Sequence, residues 1–82
     1  MDSTRATAEM HKARAVELRK AGRQDEALAE LEKALALRPD FAAAYFHVAS
    51  IAMDQGRAAD AAAYFDKAIH FKSDYQQAYR GL

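Results

Sequence analysis

The 82 residues predict an all-α fold, a stack of antiparallel helix–turn–helix hairpins. Three observations carry this. The sequence meets itself when slid by 34 positions, apolar residues recur at helical spacing inside each 34-residue unit, and Gly or Pro interrupts that spacing at regular places. The slide sets Gly22 on Gly56, Arg23 on Arg57, Ala27 on Ala61, Leu31 on Phe65, Lys33 on Lys67 and Ala34 on Ala68. It continues with Leu35 on Ile69, Leu37 on Phe71, Asp40 on Asp74, Phe41 on Tyr75, Ala44 on Ala78 and Tyr45 on Tyr79. In a chain with 21 alanines, alanine on alanine is a cheap coincidence. The Gly-Arg pair and the aromatic-on-aromatic matches are not.

The elements follow in order. A first helix is expected over 4–21, ending at Gly22, where a residue at positive φ is cheap only for glycine. The second, 24–37, puts Ala27, Leu28, Leu31, Ala34 and Leu35 on one face and Glu26, Glu30, Glu32 and Lys33 on the other. Glu26 and Glu30 repel at a spacing of four, which Lys33 partly offsets. Pro39 ends this helix by disfavouring α geometry at Arg38, and Asp40 is placed to cap the next. The third helix, 41–55, carries the stripe Tyr45, Val48, Ala49, Ala52 and stops at Gly56. The fourth, 58–71, repeats the second with Ala61, Ala62, Phe65, Ala68 and Ile69. Lys72-Ser73-Asp74 then leads, without proline, into a fifth helix over 75–82. Connections of two to four residues make neighbouring helices antiparallel.

Composition excludes several classes of function. Twelve basic and twelve acidic residues give no net pull toward nucleic acid or anionic lipid. The basic stretch Lys12, Arg14, Arg19, Lys20, Arg23 is broken by Glu9 and Glu17 and reads as a solvated surface, so no nucleic-acid partner is expected. The absence of cysteine removes disulfides, thiolate metal sites and thiol catalysis. The longest uncharged stretch, Phe41 to Met53, holds His47 and Ser50 and falls short of the roughly 18–20 residues of a membrane span. With no basic-then-apolar start, the expectation is a cytoplasmic chain. His11, His47 and His70 fall on different helices, outside the spacing of three or four that pairs metal ligands. The glycines form no phosphate loop, and Ser3, Ser50 and Ser73 have no nucleophile setting. Asp54 and Asp60, flanking the turn at Gly56, read as solvated charges rather than an acid–base pair. No enzyme, metal, cofactor or small-molecule substrate is expected.

The chain resembles the tetratricopeptide repeat family. Tyr45 takes the aromatic position of a unit's first helix, Ala49 the small position beside the partner helix, and Gly56 the turn. Ala61, Phe65 and Ala68 form the small–large–small set of the second helix. The first unit supplies Ala15, Gly22, Ala27, Leu31, Ala34 and Pro39, and Tyr79 and Leu82 open a third. His11 at the aromatic position, Arg14 at the leucine position and Ser73 for the final proline depart from the pattern. The His11 and Arg14 departures weaken the inner face of the first helix or make it a polar end cap. The resemblance implies one domain over 1–82, with units near 8–41 and 42–75 and a truncated third over 76–82, wound as a right-handed superhelix.

The resemblance also implies work as a protein-interaction scaffold, with first helices lining a concave groove for a peptide or helix of another protein. Its groove candidates are Lys12, Val16, Arg19, Phe46, His47, Ser50, Met53 and Gln77. Phe46 and Met53, seven apart, either stand exposed as an anchor surface or pack on neighbouring first helices. The two-carboxylate clamp of some relatives is not expected: Lys12 matches, but Val16, His47, Gln77 and Gly81 hold its other positions. The alternative is self-association through open ends, or by hairpin exchange about Gln55-Gly56-Arg57, with Phe65, Ile69, Phe71, Tyr79 and Leu82 as contacts. A further alternative is that the chain is a piece of a longer array.

Overall fold

Both glycine turns close by the same hydrogen bonds, and these fix where the helices stop. The Arg23 amide donates to the Leu18 carbonyl (2.9 Å) and the Gly22 amide to Arg19 (3.0 Å). In the second unit, Arg57 donates to Ala52 (2.8 Å) and Gly56 to Met53 (3.0 Å). This paired closure satisfies carbonyls that a helix end leaves open, and it requires a left-handed residue. Gly22 and Gly56 supply it at φ +83° and +77°. A side chain added at either would meet nothing within 4 Å, so the dihedral alone selects glycine. The arginine after each glycine reaches forward to an acid in the first turn of the next helix, Arg23 to Glu26 (3.0 Å) and Arg57 to Asp60 (3.5 Å). That explains why Gly and Arg recur together.

The computed structural model describes residues 3–72. It holds four helices: α1 (Ser3–Lys20), α2 (Gln24–Leu37), α3 (Ala42–Asp54) and α4 (Ala58–Phe71). The expected helix over 75–82 lies outside the described residues. α1 packs on α2 and α3 on α4 as hairpins, and α3 also lies against α2 and α1. One expectation fails at the start of α3. Phe41 rather than Asp40 occupies the cap position, and no side chain bonds the first-turn amides. The Phe41 carbonyl takes the first helical bonds, from Ala44 (3.0 Å) and Tyr45 (3.3 Å), leaving Asp40 exposed beside Arg38 (4.0 Å). Phe41 is itself buried, with the Arg38 guanidinium 4.2 Å above its ring.

The core is built mostly from alanine. Of the fourteen buried apolar residues described, ten are alanine, and only Leu31 and Ile51 are large and fully enclosed. Small side chains let the helix axes approach, and the few large ones fill what remains. The main cluster joins Ala8, Ala15, Ala27, Leu31 and Ala34 of the first unit to Phe41, Ala44, Val48 and Ile51 of the second. Ala49, Ala52, Ala61 and Ala68 are buried outside it, on the α3–α4 pair. α3 therefore hides two faces. The stripe read from the sequence, Tyr45, Val48, Ala49, Ala52, omits Ala44 and Ile51, because α3 lies between the first unit and α4.

Candidate partner-binding groove

The groove candidates come from α1 and α3, and their setting begins with what joins those helices. Asp54, at the end of α3, accepts from Arg19 through Nε (3.2 Å) and Nη2 (3.0 Å) and from Gln24 Nε2 (3.2 Å). One carboxylate thus ties the ends of α1 and α3 to the start of α2. Asp54 is a solvent-exposed charge at a helix end, as its sequence position suggests, and it also engages Arg19 within the chain.

Phe46 and Met53 stand 45% and 53% exposed; the later first helix that could also pack on them, expected over 75–82, lies outside the described residues. Phe46 is not isolated. Its ring meets His47 edge-on at 5.8 Å and Phe65 of α4 at 5.6 Å, and the Lys72 ammonium lies 5.6 Å from its centroid. The Ser50 hydroxyl turns back onto the Phe46 carbonyl at 3.1 Å, a bond that occupies its proton. Val16 is half-buried. Lys12, also half-buried, pairs with Glu9 at 3.5 Å and lies 5.9 Å from the Phe41 ring. Gln77 falls outside the described residues.

His47 Nδ1 is buried and has no hydrogen-bond partner among the described residues. Burial first, then the charges of Lys12, Arg19 and Lys72, push its pKa below the ordinary histidine value. Three cations from α1 and from the end of α4 thus act on one ring of α3. Lys72 is a participant that the sequence reading missed. Its signal was available: the slide by 34 sets it on Arg38, which also follows a second helix and covers an aromatic ring.

Among the self-association candidates, Phe65 and Phe71 are half-buried and Ile69 is 41% exposed. Tyr79 and Leu82 lie outside the described residues. Phe71 belongs to a second aromatic group. Tyr45 stacks on it at 5.6 Å and on Tyr64 at 6.4 Å, with the Lys67 ammonium 5.6 Å from the Tyr45 centroid and 5.9 Å from that of Tyr64. An open depression of about 410 Å³ is lined by Tyr45, Asp66, Lys67, His70 and Phe71. No described helix is long and apolar enough to cross a membrane.

A scan against protein-family models matches residues 12–79 to the tetratricopeptide repeat. Comparison with curated proteins and with solved structures gives no significant match.

Proposed function

The chain belongs to the tetratricopeptide repeat family, and on that basis we propose that it holds a peptide or helix of a partner protein against the α1–α3 face. Repeats of this family are generally protein–protein interaction modules and generally non-enzymatic scaffolds. The observation that carries the specific reading is the pair Phe46 and Met53, large apolar side chains left about half exposed on a helix whose other faces are buried. Anchors of this kind gain most when a partner's side chain desolvates them. His47 and Ser50 touch Phe46, Lys12 and Val16 are the residues α1 would contribute, and Arg19 is held by Asp54 at the ends of the two helices. Chemistry on a bound substrate is not part of this reading.

Affinity capture from native cell extract tests it, comparing the unaltered chain with Phe46→Ala. A partner retained by the first and lost with the second supports the groove; equal retention by both sinks it. Self-association is the second reading, favoured by the exposure of Ile69 on α4. Phe65 is a poor probe of it, because Phe65 touches Phe46. Ile69→Glu separates the two. Light scattering at 100 micromolar should show a larger species that this change dissolves, whereas a 9.1 kDa species in the unaltered chain would remove the self-association reading.

A further inference from the structure

We infer that the partner segment is acidic: side-chain carboxylates flank an apolar residue, with one carboxylate seated between Lys12 and Lys72 beside His47 and the apolar residue against Phe46. This rests on the groove reading above and names the chemistry that groove selects. The apolar floor and the charge lie together. The Lys72 ammonium is 5.6 Å from the Phe46 ring, and that ring is 5.8 Å from the His47 ring. The local carboxylates are already engaged: Asp54 by Arg19 and Gln24, Glu9 by Lys12 (3.5 Å) and Arg38 (3.6 Å). Among the described residues, Lys72 pairs with no carboxylate within 4.0 Å. The buried His47 Nδ1, without a hydrogen-bond partner among the described residues, adds an unused polar atom at the same place.

Among the described residues the charges that act on the His47 ring are Lys12, Arg19 and Lys72; Arg19 is held by Asp54 and Lys12 shares Glu9, so Lys72 is the cation with most to gain from an incoming anion. A basic segment would add to the repulsion there. A purely apolar one would cover Lys12 and Lys72 without replacing the water on their charges. The formal net charge of the chain is zero, so the preference is local to this face and does not come from long-range attraction.

The test uses the full chain and two fluorescein-labelled, C-terminally amidated peptides. In one, glutamates flank leucine and phenylalanine; in the other, glutamines replace the glutamates. Fluorescence anisotropy should give the acidic peptide an affinity about five- to tenfold higher, the scale of one charge-assisted contact. Lys12→Gln and Lys72→Gln should each lower that affinity about threefold. Lys20→Gln, at an exposed lysine paired with Glu17 on α1, should leave it unchanged. The advantage should shrink as salt is raised from 50 to 500 mM. Equal binding of the two peptides, with both lost in Phe46→Ala, overturns the acidic preference and leaves the groove standing. Binding of neither peptide overturns both. An equal loss with Lys20→Gln would mark unspecific attraction and overturn the inference. So would an acidic preference that appears only when the peptide has a free C-terminus.

Discussion

The two units place different chemistry on the same geometry. In the first, His11 Nδ1 donates to Glu30 Oε1 at 2.7 Å, and Lys33 approaches the same carboxylate at 3.6 Å. In the second, the counterparts 34 residues on are Tyr45, Tyr64 and Lys67. There the two rings stack at 6.4 Å and the lysine lies over both of them. One lysine position thus serves a carboxylate in one hairpin and two ring faces in the other. The hairpin needs a filled, mutually satisfied pair at this crossing, and either ion-assisted hydrogen bonding or aromatic contact provides it. The small–large–small positions and the glycine turns allow no such exchange, because they are set by helix approach and by a dihedral angle.

The largest expected effect contrasts Leu31 with its counterpart Phe65. Leu31→Ala should cost about 2–4 kcal/mol in urea unfolding, because the site is fully enclosed. Phe65→Ala should cost less, about 1–2 kcal/mol, because Phe65 is only half-buried. Equal losses would show that the second unit is packed as tightly as the first. Next comes the exchanged pair. Glu30→Tyr alone leaves the half-buried His11 without its acceptor and should cost about 1–3 kcal/mol. Adding His11→Tyr, so that the first unit carries the second unit's chemistry, should recover at least half. A double change no better than the sum of the singles would refute the equivalence of the two solutions.

A smaller effect should be the same in both units. Gly22→Ala and Gly56→Ala should each destabilise by about 1–2 kcal/mol, since both sites have open space and differ only slightly in φ. A clear inequality would mean that one turn is held by something beyond its dihedral.

The smallest effect lies in the pH response, and its sign follows from two lowered pKa values. Glu30 is lowered chiefly by the His11 hydrogen bond, which burial opposes, with Lys33 and Arg14 adding to the lowering. His47 is lowered by burial and by its cationic neighbours. In both cases the unfolded chain takes up the proton first as pH falls, so the folded state loses stability. The loss should begin below about pH 6.5 for His47 and below about pH 4.3 for Glu30. Tm measured from pH 7.5 to 3.5 should fall in those two windows. His47→Gln should flatten the upper one and Glu30→Gln the lower. An upper step that survives His47→Gln would assign it to another group.

Much of this fold was legible because its rules are local. Helical periodicity and the breakers Gly22, Pro39 and Gly56 place all four described helices within a residue or two of their expected ends. What was missed depends on residues far apart in the chain. Nothing in the spacing of Arg19 and Asp54, 35 apart, shows that they meet. Glu30 falls on Tyr64 in the slide by 34 but shares no chemistry with it, so their common role became visible only in three dimensions. The two-sided burial of α3 likewise depends on a neighbour that its own periodicity cannot reveal. At the groove, Phe46 and Met53 could be singled out as apolar residues off the main stripe, but their exposure was a matter of packing.

The alanine core has a consequence for how this molecule fails. Large-residue interiors are damaged chiefly by subtraction, when a trimmed side chain leaves a void. Here ten of the fourteen buried apolar positions among the described residues have almost nothing to subtract. The danger at those positions is addition. A single valine or leucine at Ala27, Ala34, Ala49 or Ala61 would have to push two helix axes apart, at a cost of about 1–3 kcal/mol and sometimes more. The hairpin stack therefore carries an upper limit on side-chain size along its seams, and drift in the sequence is bounded from above rather than from below.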